Sequence, residues 1–497
     1  MAEHPHRGDR GRPRRDDRPG RRPWRDDRQR SQSRPSERSR GSDPARRAAF
    51  DTLRAVAESD SYANLVLPPM LAERGIRGRD AAFATELAYG TLRLQGRYDA
   101  ILALAGNRDP QGLDAPVLDV LRLGAHQLLG MRVPDHAAVS ETVGLARGVC
   151  GSGPSQLVNA VLRRVAERDL DAWLAQVSAT TADPTERLAL TGSHPGWVVR
   201  ALRQSLAMTP TGADDLPALL EADNTPPAVT IAARPGLVRE GDLPDDATPG
   251  AYAPTARVLS GGDPGSLPAV REGRAGVQDE GSQLVALALA AAPLDGPDAR
   301  WLDLCAGPGG KAALLAALLA ERAPDGGLVA NEMSPHRARL VERAVARAAE
   351  LVHVEVRVGD GREVGELEPG RFDRVLVDVP CTGLGALRRR PESRWRRRPA
   401  DLAALGPLQR DLLRSAVAAT RPGGVVGYVT CSPHLAETRL VVEDVAKRAA
   451  VEILDAPAVL AEVALREVSD QRGPFAQLWP HRHGTDAMFL ALLRRTS

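Results

Sequence analysis

From Gln278 onward, short apolar segments alternate with longer amphipathic ones, and this alternation limits the fold more than any other feature of the chain. Trp301–Cys305, Gly327–Asn331, Val352–Val358, Asp373–Val379 and Gly424–Val429 read as strands. Gly309–Arg322, Pro335–Ala349 and Pro407–Ala419 read as helices between them. Each crossover lays a helix over the sheet, so the pattern predicts a largely parallel sheet covered on both faces. Such sheets bind ligands at the carboxyl ends of their strands.

The rest of the chain divides by composition. Residues 1–43 carry 14 arginines against 8 acids and few apolar side chains, within a chain of net charge +2. They cannot bury enough surface to fold alone and read as a disordered tail, either solubilising or weakly attracted to RNA phosphates. Residues 44–175 show apolar spacings of three and four, in Ala45–Val56, Ser61–Arg74, Asp80–Gln95, Ala115–Leu129 and Ser140–Val149, and predict an all-α domain. Asp43-Pro44 is an N-cap followed by the first helical position. Gly75, Gly112 and Gly151–Pro154 read as breaks. Residues 183–276 are mixed, with helices at Trp197–Leu206 and Asp215–Glu221, a strand at Ala228–Ala232, and loops through the Gly/Pro-rich stretch 243–268. Residues 277–497 form the α/β domain.

Four cysteines, Cys150, Cys305, Cys381 and Cys431, form no CxxC pair and no zinc-spaced cluster with histidine. No metal is expected, and His481 and His483 read as packing or surface groups. The start lacks an apolar signal core, and no apolar run is long enough to cross a membrane. A reducing cytoplasm is the expected setting, where thiols stay free to react.

Three cysteines sit at strand-to-loop junctions of the α/β domain. The first opens Cys305-Ala306-Gly307-Pro308-Gly309-Gly310-Lys311, between a strand and a helix. Its glycines allow a tight turn and close ligand approach, and the helix start offers free N–H groups to an anion. It is not a nucleotide P-loop, since Cys305 and Ala312 replace the required Gly and Ser/Thr. Gly307-x-Gly309-x-x-Ala312 matches a loose dinucleotide fingerprint, so the loop alone leaves a dinucleotide open. S-adenosylmethionine suits the same parts: its carboxylate at the helix start, its ribose at Glu332, its adenine near Asp360, and its ammonium near Asp303.

Asp378-Val-Pro-Cys381 and Thr430-Cys431-Ser432 end the last two strands. Methylating carbon 5 of a cytosine requires a thiolate to add to carbon 6, because carbon 5 is otherwise a poor nucleophile. A base must then take the carbon-5 proton, and an acid near N3 stabilises the adduct. Two cysteines with Asp378 supply these groups; transfer to nitrogen needs none of them. Chemistry alone does not rank the two cysteines, and both also suit small buried hydrophobes.

These motifs, with Gln278-Asp-Glu-Gly-Ser-Gln283 and His483-Gly-Thr-Asp-Ala-Met-Phe489, resemble the Sun-type RNA cytosine-5 methyltransferases. Tyr89-Gly-Thr-Leu-Arg93 and Leu157-Val-Asn-Ala-Val-Leu-Arg163 resemble a NusB-type RNA-binding domain, and the pairing is that of the RsmB branch. The resemblance covers residues 44–495. It implies a multidomain protein: an all-α NusB-like domain, then an α/β Rossmann-like methyltransferase domain. It implies S-adenosylmethionine as cofactor, with Cys305 to Lys311, Glu332, Asp360 and Asp378 around it. It implies Cys431 as nucleophile, Cys381 in product release, Asp378 on the cytosine ring, and an unpaired cytosine of small-subunit ribosomal RNA as substrate. The chain departs from the family at Gly307, at Asn331-Glu332, and in Val229–Arg234, which lacks the usual Arg-x-Asn.

Arg388 to Arg398 holds seven arginines around Trp395 and follows Cys381 closely, so it reads as an RNA contact. Two other readings remain at this point: the same chemistry on transfer RNA, and a non-catalytic RNA-binding or assembly factor.

Overall fold

The computed structural model describes residues 43–59, 61–468 and 472–497. The expected N-terminal tail, to residue 42, lies outside the described residues. Helices run from Pro44–Glu58 to Leu216–Asn224 before the first strand. The Asp43 carboxylate accepts from the Arg46 amide at 2.7 Å, capping the first helix as its Asp-Pro start predicts. Helix Ala115–Leu129 runs through the middle of this region, with Val120, Leu123 and Ala125 sealed from solvent. Four helices were not anticipated, at Gln95–Gly106, Ser152–Val165, Leu170–Ala179 and Pro184–Gly192. Gly151 is a helix start rather than a break: it sits at φ 94° as the N-cap, and Pro154 occupies the first turn, where its missing N–H costs nothing.

Two sheets follow. The first is antiparallel, built from β1 (Val229–Ala233), β2 (Thr248–Pro249), β3 (Ala256–Leu259) and β4 (Ala275–Val277), in the order β2-β3-β1-β4. Its short strands lie partly within the Gly/Pro-rich stretch expected to be loop. The second contains β5 (Arg300–Asp303), β6 (Gly327–Glu332), β7 (His353–Val358), β8 (Phe372–Asp378), β9 (Thr420–Thr430), β10 (Val451–Leu454), β11 (Ala476–Gln477) and β12 (Phe489–Arg495). Its main path runs β10-β12-β9-β8-β5-β6-β7. Strands β5 to β9 pair in parallel, while β12 returns antiparallel to β9. The chain is therefore a multidomain protein with a helical first part and an α/β second part.

Along β8 successive side chains alternate between two buried faces, as a doubly covered strand requires. Val375 and Val377 pack with Leu412 and Leu413 on one face, while Leu376 packs with Leu284 and Leu289 on the other. Burying each such side chain contributes roughly 1.5–3 kcal/mol. From β5 the chain moves outward through β6 and β7, then returns to β8 on the other side of β5. The crevice at that reversal is where the glycine loop and both cysteine motifs emerge.

The arginine-rich segment departs from expectation. Arg394 is fully buried, and its guanidinium donates to the Ser193 carbonyl (2.9 Å), the Asn224 side chain (2.8 Å) and the Asp223 carbonyl (3.1 Å). Arg396 donates to the carbonyls of Val56 and Ser61, both at 2.5 Å. Glu392 accepts from the Ala63 amide at 3.1 Å, and Arg390 lies 4.8 Å over the Tyr62 ring. Trp395 packs so close to Gly96 that a Cβ there would stand 2.3 Å from the indole. These side chains clamp the helical region to the loop after Cys381 and are engaged inside the protein. The reason is that guanidinium donors match orphan carbonyls at helix ends as well as they match phosphate. Arg398 and Arg389 stay exposed.

Candidate active site

Three loops meet at the carboxyl edge of the second sheet. Strand β5 delivers Asp303 and then the glycine turn, which is tied down by Ala306 N–H to the Asn331 carbonyl (2.8 Å) and Gly309 N–H to the Ala306 carbonyl (2.7 Å). Gly309 sits at φ 106°, and a Cβ there would stand 2.6 Å from Ala344. At Gly307 a Cβ would lie 2.2 Å from the Glu332 carboxylate, so glycine is what lets Glu332 approach the loop. Glu332 accepts from the amides of Gly307 (3.0 Å) and Ser334 (2.9 Å), and Arg337 reaches back to the Gly307 carbonyl at 2.5 Å. Asn331 donates to the Leu304 and Gly359 carbonyls, both at 3.1 Å, and so joins the ends of β5, β6 and β7. Asp360 is paired with Arg362 at 3.0 Å at the end of β7, removed from the cysteines.

Lys311 turns inward from the helix Gly310–Arg322 and donates to Asp378 at 2.8 Å. Burial alone would pull its pKa down, but the charge and hydrogen bond of Asp378 hold it up. Asp303 is buried, and neither carboxylate oxygen has a hydrogen-bond partner among the described residues. Burial, reinforced by the Asp378 charge, pushes its pKa up to about 7. Burial likewise raises the Cys305 thiol, with Asp303 and Asp378 adding to the effect, which leaves it a poor thiolate.

The structure brings Cys381 and Cys431 together, with their sulfurs 3.4 Å apart. Strands β8 and β9 run side by side with Asp378 opposite Val429, so the two loops start level and converge. Both cysteines are partly exposed. The Cys431 thiol is shifted down by its hydrogen bond with Cys381; burial and the Asp378 carboxylate oppose this, and the Lys311 ammonium assists it. Cys381 is shifted up by the same hydrogen bond, by burial and by neighbouring negative charge.

Some groups at this site carry no sequence signal. Glu437 accepts hydrogen bonds from residues beside both cysteines, yet no motif spacing points to it. Asp279 and Asp486 form a buried carboxylate pair joined through the Asp486 amide (3.0 Å), with Arg389 on Asp486 at 2.9 Å. Burial and the Asp486 charge push Asp279 up to about 6. Both lie in segments that carried the family resemblance, but only the fold shows that they touch. His483 accepts from the Trp479 amide at 2.9 Å, and His481 packs 3.5 Å from Asp215. Among the described residues, no group of three or more His, Cys, Asp or Glu is placed to hold a metal, and no helix is long and apolar enough to cross a membrane.

Comparison with known proteins finds matches over both parts of the chain. A family model described as 16S rRNA methyltransferase RsmB/F matches residues 288–494, and the NusB family model matches residues 43–167. The ribosomal RNA small subunit methyltransferase B of Vibrio cholerae is 33% identical over 461 residues, covering 90% of this chain and 97% of that one. The chain belongs to the RsmB/F methyltransferase family. A Mycobacterium tuberculosis protein, a methyltransferase by name (Rv1407), is 54% identical over 461 residues, covering 92% of this chain and 98% of its own. The crystal structure of PH0851 shares the fold of the RsmB/F chain, with a TM-score of 0.73 at 21% identity over 91% of this chain and 98% of that one. Residues 43–167 are thus a NusB-type domain and residues 288–494 an RsmB/F-type methyltransferase domain.

Proposed function

We propose that this protein transfers a methyl group from S-adenosylmethionine to carbon 5 of an unpaired cytosine in 16S ribosomal RNA. The observation that carries the reading is the pair of sulfurs 3.4 Å apart beside the Lys311–Asp378 ion pair. The residues present fit the cofactor. The start of helix Gly310–Arg322 suits its carboxylate, the unpartnered Asp303 suits its ammonium, and Glu332 keeps free lone pairs for ribose hydroxyls. Cys305 to Lys311 and Asp360 complete the pocket. When bound, S-adenosylmethionine supplies an electrophilic methyl group.

The thiolate of Cys431 adds to carbon 6, forming an S–C6 bond and placing the electron pair of the 5,6 double bond at carbon 5. Asp378 steadies the ring at N3 or the amino group, and Lys311 fixes the orientation of that carboxylate. After methylation, loss of the carbon-5 proton re-forms the double bond and returns the S–C6 electron pair to Cys431. Cys381, in contact with that sulfur, assists this release. The target base must leave its stack to reach the thiols, which favours a single-stranded or unfolded ribosomal segment.

The test is bisulfite sequencing of ribosomal and transfer RNA from a strain lacking the gene, complemented with the wild type or Cys431→Ala. One 16S cytosine should lose its mark in the deletion and regain it only with the wild type. A mark lost from transfer RNA alone would move the substrate, and no lost mark would favour a non-catalytic role.

A further inference from the structure

The two cysteine loops are joined by a residue that belongs to neither motif. Glu437 is buried, with 1% of its surface exposed. Its Oε1 accepts from the Thr382 amide (2.7 Å) and from Gln409 Nε2 (3.2 Å). Its Oε2 accepts from the hydroxyls of Thr382 (2.5 Å) and Ser432 (2.6 Å). Thr382 and Ser432 each directly follow a cysteine. Gln409 also donates to the Pro380 carbonyl (2.9 Å), and the Tyr428 hydroxyl donates to the Glu437 carbonyl (2.7 Å). One carboxylate therefore spans the ends of β8 and β9 and sets the spacing of the sulfurs.

We propose that Glu437, which bonds twice to Thr382 beside Cys381 and once to Ser432 beside Cys431, is a positioning residue whose negative charge keeps the shared proton on Cys381 and leaves Cys431 as the attacking sulfur. This rests on the cysteine-addition reading above and deepens it, because the chemistry of the reaction does not by itself rank the two thiols.

The surroundings of the two sulfurs are unequal. Cys431 faces the Lys311 ammonium and Arg389, together with the carboxylates of Asp378 and Asp486. Cys381 faces Glu437 and the Tyr428 hydroxyl, and a hydrogen bond with the Thr430 side chain acts in the opposite sense by favouring its thiolate. Negative charge beside a thiol disfavours its ionisation, and positive charge favours it. At Cys431 the Lys311 ammonium favours the thiolate against the Asp378 and Asp486 carboxylates, and at Cys381 the Glu437 carboxylate disfavours it, so Glu437 weights the S–H···S contact toward a protonated Cys381.

The hydrogen-bond pattern separates charge from scaffolding. Both partners of Oε1 are obligate donors, whereas both partners of Oε2 are hydroxyls able to accept. A glutamine can keep its carbonyl on the amide and Gln409 while donating its NH2 to the two hydroxyls. Glu437→Gln thus removes the charge and keeps the bridge, Glu437→Ala removes both, and Glu437→Asp keeps the charge on a shorter arm.

The experiment is limited iodoacetamide alkylation of the full-length protein without RNA, across pH 6 to 9.5, with peptide mass spectrometry resolving Cys381 from Cys431. In the wild type Cys431 should react on the order of tenfold faster than Cys381 near neutral pH, with its rate rising below the pH typical of a free thiol. In Glu437→Gln the ratio should fall toward one and Cys381 should gain reactivity, with thermal midpoint and S-adenosylmethionine affinity unchanged. Glu437→Asp should restore the bias, which keeps the test decisive if the glutamine variant folds poorly. A wild-type ratio and pH profile in Glu437→Gln would overturn the proposal, as would loss of the bias in a well-folded Glu437→Asp. Parallel RNA methylation assays separate the two ideas. Loss of methylation with the bias intact overturns the Glu437 role and leaves the enzyme reading standing. The bias without any methylation by the wild type upholds the Glu437 role and overturns the enzyme reading.

Discussion

Two neighbouring stretches of the chain, the cysteine pair and the arginine run that follows it, use polar chemistry to opposite ends. At Cys381 and Cys431 the groups are partly exposed and closely spaced, and Asp303 nearby has no hydrogen-bond partner for either oxygen among the described residues. At Arg394 both Nη atoms meet carbonyl or amide oxygens from the helical domain, while its Nε, the Arg390 Nε and the Trp395 Nε1 are buried without a hydrogen-bond partner among the described residues. Partly exposed polar groups held in a crevice are available to a ligand, whereas buried ones bonded to a neighbouring domain hold the structure together. Charge density in a sequence does not distinguish these cases; exposure in the folded state does.

The sharpest way to break the comparison is to remove one member from each side. Cys431→Ala should reduce methyl transfer by on the order of 10⁴-fold or more while S-adenosylmethionine still binds. Arg394→Met should do the reverse. It leaves the Ser193 and Asp223 carbonyls and the Asn224 side chain without their donor, and should cost about 3–5 kcal/mol of stability, read by denaturant unfolding. The specific activity of the folded fraction should stay within about twofold by active-site titration, because Arg394 touches neither thiol. An Arg394 variant that is stable but inactive would show that the arginine run belongs to the site after all.

A smaller effect sharpens the cofactor side. Asp303 titrates at about 7 in the folded protein, above its ordinary value of 3.8, so it is protonated below that point and charged above it. The raised value also means that the folded state loses stability relative to the unfolded chain as pH rises from about 4 to 7, because only the unfolded carboxylate ionises freely over that range. If Asp303 meets the cofactor's ammonium, affinity should weaken up to about tenfold per pH unit below 7, measured by calorimetry. Asp303→Asn should flatten that dependence. An unchanged pH profile in the variant would remove Asp303 from the cofactor contact. The smallest expected effect is at Arg398, which is exposed: Arg398→Ala should alter stability by less than about 0.5 kcal/mol.

The α/β half was legible because a doubly covered parallel strand is apolar throughout and flanked by glycine-rich turns. Val375 to Val377 and Val425 to Val429 declare themselves, and Asp378, Cys381 and Cys431 follow by position. The antiparallel sheet was harder, since its strands are two to five residues long and set among glycines and prolines. The helix Gln95–Gly106 was missed because the single residue Leu94 separates it from the helix before it, leaving no loop between the two. Glu437 was invisible for a different reason. Its importance lies in four hydrogen bonds to residues as far as 55 positions away, and nothing local in Leu435 to Thr438 encodes them. The clamp by Arg394 was misread because its partners, Ser193, Asp223 and Asn224, lie some 200 residues earlier in the chain and come into reach only when the helical domain packs against the loop.

The account rests most heavily on which sulfur bonds to the base. Cys381→Ala removes the residue assigned to release and should leave enzyme covalently held on its RNA, visible as a slow-migrating species on a denaturing gel. Nuclease digestion and peptide mapping of that species should place the remaining nucleotide on Cys431. Attachment at any other residue, or no covalent species while methylation continues, would contradict the mechanism.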